Sequence, residues 1–588
     1  MFQQSLDPVG GSLFLSALCG ALPLIVLFVL LGGLRVQAWL AGLISLGVAL
    51  VVAILGFGMP VGQALLAGTQ GAAFGFFPIL WIVINAIWVY NLTVASGHFD
   101  VLRRSFERVS PDQRIQAIII AFCFGALLEA LAGFGTPVAI TVVMLVSLGF
   151  KPLKAAVVSL LANTAPVAFG ALATPIVTLA TVASGASNDP RLTIDTIGSM
   201  VGRQTPLLAL IVPLFLVIAV DGRRGARQTW PAALTAGIAF GGAQFVASNF
   251  ISVQLADIFA SLVSAAAVVL LTRVWSPSPE LTADAAEVDV AEAAPAGRGS
   301  RAVHRAPSGA AAGVGGAGGT AETDAAAASA ASGAAGPAPD NRTEVVKAYL
   351  PYIVIIILFS VTNITTVKEF LGKKPFAFSF SWPGLHVLNT AGDPVSTTTF
   401  AFNWLPAAGT LMVIAGIITS LILQISPAKM LRTYTGTYYE LRWAIATVMA
   451  VLALAYVMNL SGQTSSLGAW LAGAGGAFAV LSPILGWIGV GVTGSDTSAN
   501  ALFGGLQVQT ATKAGLDPLL MAAANSSGGV MGKMISPQNL AIAAAAVGMA
   551  GREGDIFRKV IGWSLLLLVL TCVLVFLQST PVLSWMIP

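Results

Sequence analysis

Two stretches decide how the chain is read. F-G-A-L-L-E-A-L-A-G-F-G-T-P runs from Phe124 to Pro137, and L-A-N-T-A-P-V-A-F-G-A-L-A-T-P runs from Leu161 to Pro175. Between apolar flanks they place one carboxylate, Glu129, a glycine-rich break with a hydroxyl (Gly133, Gly135, Thr136), and a second break on Asn163 and Thr164. Breaks of this kind free backbone amides and carbonyls at membrane depth, which is tolerated only where they face protein or a water-filled cavity. That is how a polar solute site is built in a bilayer.

Composition fixes the class. Apolar residues make up 56% of the 588 and charged ones 9%, with a mean hydropathy of +0.86, far from a soluble mixture. Apolar runs of about 20 residues follow one another, each matched to a hydrocarbon core about 30 Å thick. The sequence therefore predicts an all-α polytopic membrane protein of about 12 spans plus two broken or re-entrant hairpins. The pI near 9.0 reflects basic residues in short loops, as the positive-inside rule expects, and does not point to nucleic acid. Cys19, Cys123 and Cys572 lie in separate apolar runs, so neither a disulfide framework nor a metal set is indicated, and no cofactor is expected. The apolar run from Ser12 to Leu34 reads as a first span rather than a cleavable signal.

An internal repeat organises the rest. Val89-Tyr-Asn91-Leu-Thr matches Val457-Met-Asn459-Leu-Ser, and Gly133-Phe-Gly-Thr136-Pro loosely matches Gly494-Ser-Asp-Thr497-Ser. Asn163 to Gly170, with Pro175 beyond, matches Asn525 to Gly532, with Pro537 beyond. Charge gives the orientation. The loop after Asn91 carries Arg103, Arg104, Arg108 and Arg114, whereas 462–484 carries no charge; the stretch 58–74 is uncharged, whereas 426–442 carries Lys429, Arg432 and Arg442. Each pair switches from basic to uncharged or back, which is what two inverted repeats require. The expected domains are 1–220 (first repeat, about five helices and a hairpin), 221–273 (two connecting helices), 274–343 (a disordered Ala/Gly/Pro-rich cytoplasmic linker) and 344–588 (second repeat). The stretch 363–405 is expected to pack as a cap in which Trp382 and His386 are structural.

Chemistry follows from the breaks. An ionised acid in the apolar run around Glu129 costs about 2.5–3.5 kcal/mol, so it is expected protonated, paired or facing water. That makes it the leading proton-coupling candidate; the alternative is a packing acid hydrogen-bonded within the protein. Asp496 is the matching acid of the second repeat, and also reads as an N-cap for a helix starting at Thr497. Asn163, Thr164, Asn525, Ser526 and Ser527 supply neutral donors and acceptors near helix ends, suited to a carboxylate or to a cation, with simple capping as the alternative. Lys533, with no acid nearby in sequence, is placed to balance an anionic substrate or to snorkel to an interface; Arg203 is a weaker candidate of that kind. Gly528 to Met534 lacks the first glycine and the final hydroxyl of a phosphate loop, and no catalytic motif appears, so no enzyme is expected.

These residues also carry a resemblance. F-G-A-L-L-E-A-L-A-G-F-G-T-P-V-A-I, N-T-A-P-V-A-F-G, V-T-G-S-D-T-S-A-N-A-L-F-G-G-L-Q and N-S-S-G-G-V-M-G-K-M-I-S-P-Q-N-L-A-I-A are similar to the bacterial L-lactate permease family over nearly the whole chain. The resemblance implies a multi-pass protein of the cytoplasmic membrane importing lactate, and glycolate or related 2-hydroxymonocarboxylates, by proton symport. A more distant likeness to elevator-type ion transporters implies a domain sliding past a scaffold, with a homo-oligomer left open. The partners so implied are a small carboxylate, protons and the lipid bilayer. Carried over by position, Glu129, Gly133, Gly135, Thr136 and Asn163 form one half-site. Asp496, Thr497, Ser498, Asn500, Asn525, Ser526, Ser527 and Lys533 form the other. A sodium-coupled carboxylate carrier is the alternative, since the same neutral breaks suit Na⁺. A channel, a membrane enzyme or a sensor would each need features the sequence does not display.

Overall fold

In a hydrocarbon core a helix satisfies its own backbone within one segment, so apolar runs of this length fold as helices. The computed structural model describes residues 1–133, 135–187, 189–277, 341–390 and 392–588. Eleven of the described helices are long and apolar enough to cross a membrane, and Thr136–Ser147, Pro152–Ala162 and Ala408–Ile422 are shorter apolar ones. The chain is thus a largely helical, multi-pass membrane protein. The expected linker at 274–343 lies almost wholly outside the described residues.

Three stretches taken for loops are helical. Residues 58–74 hold the helix Val61–Phe74, which leads through non-helical backbone at Phe77 (φ −129°, ψ 122°) into Trp81–Ala95. Residues 426–442 open the 35-residue helix Pro427–Ser461, capped by the Ser426 side chain. Within 462–484 lies the helix Gln463–Leu471. The first was missed because its Gly, Ala and Gln content lowers hydropathy, yet small residues are what close helix packing in a membrane uses. At Gly71 an added Cβ would lie 2.5 Å from the Leu452 carbonyl oxygen of Pro427–Ser461. The boundary expected at 220/221 falls inside the helix Val212–Val246, which is bent at Asp221 and Gly222. Arg114, read as a loop cation, is fully buried, where it pairs with Asp112 (2.7 Å) and Asp221 (3.1 Å). The cap at 363–405 contains an antiparallel pair, Phe378–Ser381 with Thr399–Phe402. Trp382 packs on Phe400 there with ring centroids 5.6 Å apart.

Eight helices carry the breaks singled out in the sequence. We label them α1 (Gln113–Ala132), α2 (Thr136–Ser147), α3 (Pro152–Ala162), α4 (Gly170–Ser184), α5 (Phe478–Thr493), α6 (Asp496–Ala514), α7 (Pro518–Gly532) and α8 (Pro537–Ala546). α1 ends at Gly133, and α2 begins after Gly135 in the left-handed region (φ 91°). α5 ends at Gly494 (φ 76°), and the Ser495 side chain caps α6. α4 packs along α6, and α8 against α2. Arg191, in the loop after α4, bonds both Asp189 (2.7 Å) and Asp517 (2.9 Å), the residue that caps α7.

α5 and α7 meet backbone to backbone. A Cβ at Gly486 would stand 2.0 Å from the Asn525 carbonyl oxygen, and one at Gly528 would stand 2.3 Å from that of Pro483. Gly242 has nothing within 4 Å of the same position. Gly486→Val is therefore expected to lower the apparent Tm in detergent by a few °C, or to abolish the monodisperse peak, since overpacking costs about 1–3 kcal/mol or more. Gly242→Ala should leave both unchanged. Fluorescence-detected gel filtration after heating reads the difference.

Candidate functional site

α1 is buried along its whole length, and Glu129, one turn before its end, is 3% exposed. A carboxylate there needs hydrogen bonds and a countercharge, because dehydrating it alone costs several kcal/mol. Both are present. Oε1 accepts from Lys533 Nζ at 2.6 Å, and Oε2 accepts from Asn163 Nδ2 at 2.9 Å. Lys533, at the end of α7, is 6% exposed. The sequence left it without an acid nearby; its acid comes from the other half of the chain. Glycine makes the room, since a Cβ at Gly170 would fall 2.8 Å from Glu129 Oε1.

The second half-site is neutral in its contacts. Because Ser495 is the N-cap of α6, accepting from the Ser498 amide, the capping role expected of Asp496 is filled. Asp496 Oδ2 accepts from Ser526 Oγ (2.6 Å) and Asn500 Nδ2 (3.3 Å), while Oδ1 has no hydrogen-bond partner among the described residues. Amides continue the chain of donors: Gln507 Nε2 bonds Asn525 Oδ1 (3.0 Å), and Asn525 Nδ2 bonds Asn500 Oδ1 (2.9 Å). Asn500 Nδ2 also reaches the Pro175 carbonyl of α4 at 3.1 Å, joining the two half-sites. Gly529 clears the space beside this acid; its Cβ would lie 2.5 Å from Oδ1.

A cavity of about 40 Å³ lies where the breaks meet. Of the residues singled out in the sequence, Glu129, Gly133, Asp496, Thr497 and Lys533 line it. Asn163, Asn500, Asn525 and Ser526 stand behind them, holding the two acids or each other. The rest do not face it. Gly135 abuts Ile542 of α8, Thr136 opens α2, Thr164 bonds the Leu161 carbonyl, the Ser498 amide bonds the Ser495 cap, and Ser527 donates to Gln204 at 2.7 Å. Arg203 is occupied elsewhere, with Asn249 and the Met586 carbonyl.

Sequence reasoning passed over part of the lining, including Val167, Gly170, Thr174, Ser495 and Gln538. One signal was hidden entirely. Ala171, Leu172 and Ala173 all have positive φ (44°, 55° and 58°), a left-handed turn that L-residues adopt at a cost of about 1–2 kcal/mol each. Thr174 Oγ1 caps it on the Ala171 carbonyl at 2.5 Å. A second signal was readable. Asp257 is an acid in an otherwise apolar run; it is fully buried and accepts from Gln244 Nε2 at 2.9 Å.

Chemically, the arrangement holds one ammonium at a small buried cavity, neutralised by one carboxylate that a neighbouring amide orients. The L-lactate permease family model matches residues 16–582. The chain is 40% identical to the L-lactate permease of Bacillus subtilis (100% of this chain, 99% of that one). It is 40% identical to the glycolate permease GlcA of Escherichia coli (97% of each) and 38% identical to the L-lactate permease of that species (100% of each). Members of the family are transporters rather than enzymes. A family match of this extent, over a chain that also aligns end to end with its relatives, assigns the protein to the L-lactate permease family.

Proposed function

We propose that the protein, multi-pass in the bacterial cytoplasmic membrane, imports L-lactate, and glycolate or related 2-hydroxymonocarboxylates, by proton symport. The observation that carries this reading is the 2.6 Å contact between Lys533 and Glu129 at the cavity. In the empty carrier the two charges cancel. A proton taken up by Glu129 releases the ammonium, which then holds the carboxylate of the substrate. Asn163 keeps Glu129 in place through both states. The Glu129–Lys533 pair carries no net charge before loading, and none again with one proton and one anion aboard. An ammonium freed without a substrate would stand unpaired in a buried site, so proton and anion bind together. The two halves act as inverted repeats around this site, and access alternates by an elevator-type movement of the break-bearing helices against the remaining spans.

In proteoliposomes, wild-type uptake of labelled L-lactate should follow an imposed pH gradient and ignore a sodium gradient. Uptake that follows sodium instead would favour a sodium-coupled carrier and return Glu129 to a packing role. Glu129→Gln leaves Lys533 free, so lactate exchange should persist while accumulation driven by the pH gradient falls to background. Lactate affinity should strengthen as pH falls in the wild type and become flat with pH in Glu129→Gln, read by binding calorimetry. Lys533→Met should weaken lactate binding about 10- to 100-fold, the worth of a charge-assisted hydrogen bond. The lone Lys533→Met change also leaves a buried acid unpaired, a penalty of about 3–5 kcal/mol. Adding Glu129→Gln to it should recover thermal stability without recovering uptake.

A further inference from the structure

The apolar part of the cavity lining is made of very small residues. Apart from the polar groups, its described lining is glycine, alanine and proline, with one branched aliphatic side chain, Val167. That residue is 2% exposed and opens the short turn Val167–Phe169 between the Asn163 break and the left-handed turn at 171–173. The backbone on either side of it is pinned. Asn163 is tied to Glu129 at 2.9 Å, the Ala165 carbonyl accepts from Gln244 at 3.4 Å, and Gly170 abuts the Glu129 carboxylate. Val167 therefore cannot recede to admit a longer solute.

Volume sets the scale. One water needs about 10–15 Å³ of such space, so a cavity of about 40 Å³ suits a solute of two or three carbons with its oxygens. We infer that Val167 is the specificity-determining residue for chain length, meeting the carbon tail of a 2-hydroxy acid whose carboxylate is held at Lys533. The inference rests on the reading above and adds the chain-length limit to it. The C2 substituent is hydrogen in glycolate, methyl in lactate and ethyl in 2-hydroxybutyrate. With Val167 in place the ethyl group is crowded, and one methylene in a tight pocket discriminates by about 10- to 200-fold.

The test is counterflow into proteoliposomes loaded with unlabelled substrate, using labelled glycolate, L-lactate and 2-hydroxybutyrate side by side. Ratios are read within each variant, so a lower amount of folded protein cancels. Val167→Ala should raise the ratio of 2-hydroxybutyrate to glycolate about tenfold over the wild type. Val167→Ile should lower the ratio of lactate to glycolate by a similar factor. Ratios unchanged in both variants, in protein that still transports, overturn the role of Val167 alone. A wild type that moves neither glycolate nor lactate overturns the transport reading, and this inference falls with it.

Discussion

A carboxylate and an ammonium brought together out of water govern this structure. Each would cost several kcal/mol to dehydrate alone, and the surrounding residues exist in the arrangement that makes the pair tolerable. Glu129 and Lys533 meet at 2.6 Å where α1 and α7 both end. Gly170 and Gly133 leave the carboxylate its room, and Asn163 fixes the oxygen that Lys533 does not use. The breaks are thus not merely places where the helix fails. They bring together groups that a continuous helix would keep on separate faces.

The second acid is accommodated differently. Among the described residues Asp496 has no cation as a hydrogen-bond partner; it rests on Ser526 and on an amide chain running from Gln507 through Asn525 to Asn500. Amides donate and accept without carrying charge, so this half-site offers direction where the first offers an ionic contact. The bond from Asn500 to the Pro175 carbonyl then locks the two halves into one site.

Much of this was legible in the sequence, because breaks in apolar runs are conspicuous and their polar residues few. Glu129, Asp496 and Lys533 stood out as ionisable groups at membrane depth, and the family motifs covered nearly the whole chain. Pairing was not legible: the partner of Lys533 lies 404 residues away, and no local pattern announces a contact of that separation. Nor was capping, since Ser495 and Asp496 are both good N-cap residues and only the backbone decides between them. Helix Val61–Phe74 was lost to hydropathy, which undervalues glycine and alanine that pack against a neighbour. Asp257 was a plain oversight of a visible signal. The left-handed turn at 171–173 could not be read at all, for nothing in Ala-Leu-Ala favours it; the packing around it imposes it.

The seam between α5 and α7 also bears on how such a protein can diverge. At Gly486, Gly528 and Gly532 any side chain would run into a carbonyl oxygen of the facing helix, at 2.0, 2.3 and 2.3 Å. Nearly every coding change at these three codons is therefore blocked, and no stepwise path leads through intermediate sizes. The two helices travel as one inherited block, with Lys533 and Ser526 fixed on it. Descendants of this gene that come to favour a different solute have their freedom at the few cavity positions that already carry a side chain, Val167 and Thr174 among them.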